Sequence, residues 1–134
     1  MFLNNSTIKV ETIDIEATEE SPKICYNSAT GSLEISGESY PEDARVTYAP
    51  VFEWIDQVKD QMPSINIGFK LNYLSTGTSK IIIDLIIKLD ELCNEGYKAQ
   101  IIWLYSENDE DMMNLGEEYQ DLASTIEIKL LKSN

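Results

Sequence analysis

Apolar and polar residues alternate along several stretches of the chain, and this alternation predicts its strands. Residues 65–73 alternate without a break, which predicts a strand with one apolar face. Residues 126–130 alternate in the same way and predict the last strand. Residues 99–105 form an almost unbroken apolar run, which is typical of a strand covered on both faces in the middle of an α/β sheet.

The first forty residues predict a strand followed by a β-hairpin. Residues 8–15 alternate with a change of phase near Thr12, which indicates either one strand with a bulge or two half-strands. Two short alternating runs, 24–26 and 33–35, flank a turn-forming stretch at 27–31. This pattern predicts an antiparallel hairpin.

Apolar residues at helical spacing predict three helices, at 51–62, 82–93 and 112–122. Pro50 is expected in the first turn of the first helix or at a kink, because proline has no N–H to donate. Gly96 is the expected C′ residue that ends the second helix.

The order of these elements predicts the fold class. Helices and strands alternate three times after the hairpin, which predicts a largely parallel α/β sheet flanked by helices, with an antiparallel hairpin at one side. The chain has 134 residues, so we expect one domain over residues 1–134.

Charge and composition exclude several classes of function. The chain has 24 acidic and 10 basic residues and a net charge of −14, which argues against binding to nucleic acid or to an anionic membrane. It contains no histidine, so Ser-His-Asp catalysis, Cys-His catalysis and imidazole metal ligands are excluded.

The cysteines and the apolar segments predict a cytoplasmic protein. Cys25 and Cys93 are too few for a disulfide scaffold or an all-cysteine zinc site, and Cys93 falls on a predicted buried helix stripe. The N-terminus lacks the basic start and apolar core of a signal peptide. The most apolar stretch, 81–89, is too short to cross a bilayer.

An acidic run at 107–111 has two interpretations. Its alternating oxygens resemble a calcium-binding loop, but no register combines glycine at the sixth position with glutamate at the twelfth. We therefore favour a solvated, acid-rich helix start, which the helix dipole stabilises. Glu117, Glu118 and Asp121 extend the negative patch, and a basic partner is one possible match for it.

A hydroxyl-rich loop at 75–79 follows the clearest strand and precedes the second helix. Ligand sites in α/β sheets collect at such strand ends, and helix N-termini attract phosphate. Thr76, Thr78 and Ser79 are candidate N-caps, but capping needs only one hydroxyl. The loop is thus either a cap alone or a functional loop, for example one with a phosphoacceptor, and its spacing differs from a P-loop.

Two tyrosines, Tyr40 and Tyr48, are expected in or near the loop before the first helix, whereas the other tyrosines mostly fall at core-facing positions. Exposed aromatics beside Pro41 are candidate contact residues, although packing of the loop explains them equally well.

Three segments together resemble the signature of the SiaC family of regulatory phosphoproteins. The segments are Ser-Pro-Lys-Ile at 21–24, Gly-Glu-Ser-Tyr-Pro-Glu at 37–42 and Tyr-Leu-Ser-Thr-Gly-Thr-Ser-Lys at 73–80. They are similar to the family's "TP-x-I … G-x-S-Y-P-E" and "Y-F-N-T-S-S-S-K" patterns. The resemblance extends from about residue 8 to residue 130.

The resemblance implies a fold similar to the STAS anti-sigma-factor antagonists and a signalling role. In the family, a dedicated kinase phosphorylates a loop threonine, and a PP2C-type phosphatase removes the phosphate. The unphosphorylated form binds and activates a diguanylate cyclase, the enzyme class that makes c-di-GMP. The matching threonine here is Thr76, and the chain departs from the pattern at Leu74, Ser75, Gly77 and Thr78.

We therefore expect a non-enzymatic partner-switching protein without a metal or cofactor. Its expected partners are a kinase, a PP2C-type phosphatase and an effector such as a diguanylate cyclase. The expected partner-binding residues are Tyr40, Pro41, Glu42, Ser75, Gly77, Thr78, Ser79 and Lys80. Two alternatives remain: a small enzyme or ligand-binding domain that uses the cleft at the strand ends, and a structural subunit that docks through its acidic face.

Overall fold

The structure is a computed structural model that describes residues 12–133. The predicted strand residues Ile8 and Val10 lie outside this range. The elements in chain order are β1 (Asp14–Ile15), β2 (Lys23–Asn27), β3 (Ser32–Ser39), α1 (Ala44–Val58), β4 (Ser64–Leu74), α2 (Thr76–Asn94), β5 (Lys98–Ser106), α3 (Glu110–Leu122) and β6 (Glu127–Ser133).

The six strands form one sheet in the order β1-β2-β3-β4-β5-β6. β1, β2 and β3 pair antiparallel, whereas β3 to β6 pair parallel through the three helices. The predicted α/β fold with a largely parallel sheet and an N-terminal hairpin is confirmed. No helix within residues 12–133 combines the length and the apolar character needed to cross a membrane.

The helices cover one face of this sheet. Each parallel strand lies beside the strand that precedes it, and right-handed crossovers then place all three helices on the same side. Along β4, Ile65, Ile67 and Phe69 point to the helices and are fully buried. Gly68 points the other way, where an added Cβ would meet no atom within 4 Å.

The expectation that residues 99–105 are covered on both faces is wrong. In β5, Ile101 and Trp103 are buried under the helices, whereas Ile102 and Leu104 point to the other face and are only half-buried. These two apolar residues are shielded by their neighbours within the sheet, since Leu104 lies beside Leu131 of β6. The run at 99–105 is almost unbroken because apolar residues also occupy the half-buried positions of β5. This is why the sequence resembled a strand buried on both faces.

The boundaries of α1 and α2 differ in part from the sequence-based expectation. α1 begins at Ala44, where Asp43 caps it by accepting a hydrogen bond from the Arg45 N–H at 3.1 Å. Pro50 consequently lies in the second turn of α1 and not in the first. Gly96 follows the C-cap of α2 with a φ of 99°, as a C′ glycine does, so that prediction is confirmed.

Trp103 of β5 and Gly116 of α3 form a close contact between a helix and the sheet. The Trp103 indole N–H donates to the carbonyl of Met112 at 2.9 Å, and its ring packs edge-on against Tyr119 at 5.1 Å. A Cβ at Gly116 would lie 2.6 Å from Trp103 Cδ1. Glycine is therefore required here by space.

We predict that Gly116→Ala destabilises the protein by about 1–3 kcal/mol, because the added methyl group displaces a fully buried indole. The matched control is Gly68→Ala, which adds the same methyl group on the open face. It should change the free energy of unfolding by less than about 0.5 kcal/mol. Urea unfolding of both variants measures the difference, and equal losses would contradict the one-sided packing described above.

Asp90 of α2 holds the connection between α3 and β6. Its carboxylate accepts backbone N–H bonds from Thr125 at 2.7 Å and Ile126 at 2.8 Å, and the Ser124 hydroxyl donates to it at 2.6 Å. Partial burial raises the pKa of Asp90, but the hydrogen bonds from Ser124, Ile126 and Thr125 outweigh this effect and lower it below the ordinary value.

Because the pKa of Asp90 is lowered in the folded state, its contribution to stability is complete above the unfolded value of about 3.9 and is lost as the pH falls through the folded pKa. We predict that Asp90→Asn lowers the free energy of unfolding by about 1 kcal/mol at pH 7 and that this difference shrinks near pH 3. Urea unfolding at both pH values, with exposed Asp84→Asn as the control, measures it. A difference that stays constant with pH would show that the charge contributes nothing.

Candidate functional site at the start of helix α2

The hydroxyl-rich segment forms the start of a helix and not a separate loop. α2 begins at Thr76, and Ser75 is its N-cap, because the Ser75 hydroxyl oxygen accepts a hydrogen bond from the Thr78 N–H at 3.2 Å. The candidate caps Thr76, Thr78 and Ser79 are therefore wrong. Ser75 takes this role since its extended backbone places its side chain across the first turn.

Thr76 is the first residue of α2, and its side chain is exposed to solvent. Within residues 12–133 its hydroxyl makes no hydrogen bond, unlike those of its neighbours Ser75, Thr78 and Ser79. Backbone N–H groups in the first turn of a helix lack acceptors within the helix and favour negative charge. The position therefore combines a free hydroxyl with a local field suited to phosphate.

A buried hydroxyl cluster, formed by Ser39, Tyr48, Ser75 and Thr78, lies beneath Thr76. Ser39 Oγ is 2.8 Å from both the Tyr48 hydroxyl and Thr78 Oγ1. Ser39 and Thr78 are fully buried. The Ser39 carbonyl also accepts from the Ser75 N–H at 2.9 Å, so the end of β3 is joined to the start of α2.

One proton per hydroxyl sets the direction of these bonds. Thr78 donates to the Ser39 carbonyl at 3.1 Å, so Ser39 Oγ must donate to Thr78 Oγ1. The Tyr48 hydroxyl then donates to Ser39 Oγ, and Ser75 donates to Thr78 at 3.3 Å. Every hydroxyl of the cluster therefore donates its proton within the cluster, as buried polar groups require.

A second tyrosine holds the other side of the same helical turn. The Tyr119 hydroxyl of α3 is 2.8 Å from Ser79 Oγ. Burial raises the pKa of both Tyr48 and Tyr119 to about 12, although the bonds to Ser39 and Ser79 lower each in part. Both phenols therefore keep their protons at neutral pH.

A cleft of about 570 Å³ opens beside Thr76, between the end of β4 and the starts of α2 and α3. Its lining includes the apolar residues Leu74, Met112 and Leu115 and the acidic residues Asp109 and Asp111. Asp109 is the N-cap of α3 and accepts from the Met112 N–H at 3.0 Å. The interpretation of the acidic run as a helix start is confirmed.

Carboxylates along α3 form an acidic surface that is continuous with this cleft. Its residues are Glu107, Asp109, Glu110, Asp111, Glu117 and Glu118.

The family model described as "SiaC family regulatory phosphoprotein" matches residues 15–133. The chain belongs to the SiaC family. The resemblance found in the sequence is thereby confirmed.

Relatives of this SiaC-family chain come from Pseudomonas aeruginosa. An uncharacterised protein of strain UCBPP-PA14 is 26% identical over 113 residues, which is 84% of this chain and 90% of that protein. The solved structure of SiaC superposes with a TM-score of 0.81 at 22% identity, over 92% of this chain and 99% of that one. A crystal structure of the diguanylate cyclase SiaD in complex with its activator SiaC matches with a TM-score of 0.81 at 23% identity, over 90% and 99%.

The fold brings the predicted partner-binding residues into one region. Tyr40, Pro41 and Glu42 follow β3, and the Tyr40 ring packs edge-on against Tyr73 of β4 at 5.9 Å. Tyr73 is 53% exposed and lies just before the N-cap of α2. The end of β3 and the start of α2 therefore share one surface in this SiaC-family protein.

Other predicted members of the site differ in accessibility. Gly77 and Lys80 are exposed, and Ser75 and Ser79 are half-buried. Thr78 is fully buried, so its side chain holds the hydroxyl cluster together and does not reach a partner.

The expectation that Tyr48 lies in or near an exposed loop is wrong. α1 begins at Ala44, well before the apolar stripe predicted it, and this places Tyr48 one turn before Val51 on the buried face. Ser39 and Tyr119 were also missed as site residues. The apolar stripe of α3 predicts burial of Tyr119, whereas Ser39 stands in a largely polar segment, and hydrogen-bond partners distant in sequence leave no periodic signal for either residue.

Proposed function

We propose that this SiaC-family chain is a non-enzymatic partner-switching protein controlled by phosphorylation of Thr76. In this proposal, the unphosphorylated form binds and activates a diguanylate cyclase in the cytoplasm. A protein kinase and a PP2C-type phosphatase set the phosphorylation state. The observation that carries the proposal is the exposed, unbonded hydroxyl of Thr76 at the start of α2, in a member of a family of regulatory phosphoproteins.

Support for the effector comes from the Pseudomonas aeruginosa complex of the diguanylate cyclase SiaD with its activator SiaC. This chain shares the SiaC fold over nearly its whole length. A protein that acts by binding needs an accessible surface and not a catalytic group. We propose that Tyr40, Pro41, Glu42, Ser75, Gly77, Ser79 and Lys80, which are exposed or half-buried, form this surface together with Thr76.

The start of α2 can carry a phosphate without loss of the fold. A dianion at a helix N-terminus is stabilised by about 0.3–2 kcal/mol. Lys80 lies four residues after Thr76, on the same side of the helix, and an acid that precedes a lysine by four residues forms the favourable pair. Lys80 is exposed and makes no ion pair within residues 12–133.

The same phosphate opposes binding of an effector over Thr76. A dry contact there requires that a dianion lose its water, and leaving a buried charge without a full partner costs about 3–5 kcal/mol. That loss corresponds to roughly two to four orders of magnitude in affinity. Pairing with the phosphate also withdraws Lys80 from the effector.

We predict that Thr76→Ala keeps the affinity for the effector and no longer accepts phosphate. Thr76→Asp should bind the effector more weakly than wild type but more tightly than the phosphorylated form, because aspartate adds one negative charge and phosphate adds about two. Isothermal titration against the SiaD-type cyclase of the same organism measures each affinity. Thr30→Asp, which adds the same charge in the β2–β3 hairpin at the other end of the sheet, is the control and should leave binding unchanged.

Mass spectrometry of the kinase-treated protein locates the phosphate. Phosphate on Thr78 or Ser79, or undiminished binding by the Thr76 phosphoform, would show that the assignment is wrong. Binding or hydrolysis of nucleotide by the chain alone would favour a ligand-binding or enzymatic role for the cleft.

The acidic surface should speed association with a more basic partner, because opposite charges attract the two proteins before they touch. Salt weakens this attraction, since exposed charges more than about 8 Å apart are largely screened at physiological ionic strength. We predict that changing Glu110, Asp111, Glu117 and Glu118 to Gln or Asn slows association about two- to tenfold at low salt and flattens its salt dependence. Asp109 is left intact as the α3 cap.

Stopped-flow or surface-based kinetics across a salt series make this measurement. The control removes the same charge elsewhere, at the exposed residues Glu53, Asp60, Glu91 and Glu95. If both sets of changes leave the rate and the salt slope where they are in wild type, the acidic surface serves solubility alone.

A further inference from the structure

The first turn of α2 is held from two sides by buried tyrosine hydroxyls. Tyr48 comes from α1 and Tyr119 from α3, and both are almost fully buried. The Tyr119 hydroxyl bonds Ser79 Oγ directly, whereas the Tyr48 hydroxyl bonds Ser39 Oγ, which in turn bonds Thr78 Oγ1. The two tyrosines therefore act on the neighbours of Thr76, one directly and one through Ser39.

The Tyr48 side acts through the hydroxyl cluster. Tyr48 donates to Ser39 Oγ at 2.8 Å, and Ser39 bonds Thr78 Oγ1 at 2.8 Å. Thr78 in turn bonds both the Ser75 hydroxyl and the Ser39 carbonyl. The N-cap of α2 is thereby fixed to α1 and to the end of β3.

The Tyr119 side is a single contact, the 2.8 Å bond to Ser79 Oγ. Tyr119 is itself held by edge-on packing against Trp103, at a centroid distance of 5.1 Å. Trp103 belongs to β5, so this side ties the turn to the next parallel strand as well as to α3.

We propose that Tyr48 and Tyr119 are positioning residues for phosphate transfer at Thr76, which rests on the proposed function of that threonine. Helix ends fray first, and a frayed first turn spreads the Thr76 hydroxyl over many orientations. Phosphate transfer needs the attacking oxygen held close to the reacting phosphorus and in line with it. The two tyrosines restrict the turn and so present the hydroxyl in one geometry.

Packing alone does not account for the two hydroxyls. Phenylalanine fills almost the same volume as tyrosine, so Tyr→Phe keeps the ring packing and removes only the hydrogen bond to the Ser39 or Ser79 hydroxyl. The hydroxyl groups therefore restrict the orientation of the first turn of α2, in addition to the burial that the rings provide.

The test uses Tyr48→Phe and Tyr119→Phe, which remove only the hydroxyl groups. Tyr97→Phe is the matched control, because the Tyr97 hydroxyl donates to the Met62 carbonyl at 2.8 Å near the other end of α2. The first readout is amide hydrogen exchange at Thr78 and Ser79, compared with Leu89 in the same helix.

Exchange at Thr78 and Ser79 should become about two- to tenfold faster in Tyr48→Phe and Tyr119→Phe, the range expected for loss of one buried hydrogen bond. Exchange at Leu89 should stay as in wild type, and Tyr97→Phe should leave Thr78 and Ser79 unchanged. Faster exchange along the whole of α2, or none at its start, would overturn the positioning role.

The second readout is phosphorylation at Thr76 by a kinase preparation that modifies the wild-type chain. Both variants should lose about two- to tenfold in kcat with KM nearly unchanged, because orientation and not docking is altered. A kcat equal to that of Tyr97→Phe would overturn the inference. Failure of wild type to accept phosphate at Thr76 would instead remove the proposed function, and the exchange measurement separates the two cases.

Discussion

The buried hydroxyl cluster beneath Thr76 is the constraint on which the site depends. A buried hydroxyl without a partner costs about 1–3 kcal/mol, so the buried Ser39, Tyr48 and Thr78 must lie together in an arrangement that satisfies all three, with the half-buried Ser75 bonded at its edge. This requirement fixes the end of β3, the first turns of α1 and the start of α2 relative to one another. Thr76, between two residues of the cluster, is left as the hydroxyl that faces solvent.

The sheet topology places the rest of the surface around that residue. Because the parallel strands follow one another in sequence, their carboxyl ends and the helix starts meet along one edge. The start of α3, with Asp109 as its cap and Asp111 in its first turn, therefore borders the cleft beside Thr76. The close contact of Gly116 with Trp103 holds α3 against the sheet and maintains this neighbourhood. A chain with a net charge of −14 thus presents Thr76, its proposed phosphoacceptor, beside carboxylates, with Lys80 as the cation one turn away.

Much of this fold could be predicted from the sequence, because strands such as residues 65–73 and the helix that follows bury one face and leave a clear periodic pattern. Thr76 was identified as the candidate phosphoacceptor through motif resemblance, and it lies at the helix start where the sequence predicted one. Two features could not be found. Ser75 was missed as the cap because four neighbouring hydroxyls fit the role equally well. Tyr48 was misplaced because α1 begins before its apolar stripe, and its partner lies nine residues away with no periodic relation.

We propose that a phosphate on Thr76 changes what the surface can bind while the fold beneath it stays as it is. The most direct measurement is a comparison of the ¹H–¹⁵N correlation spectra of the protein with and without phosphate on Thr76. We expect chemical-shift changes confined to the start of α2, the adjoining end of β4 and the start of α3, with the core residues Phe69, Ile101 and Leu85 unmoved. Changes spread through the sheet, or loss of dispersion, would show that phosphorylation acts by refolding the domain and would contradict the account.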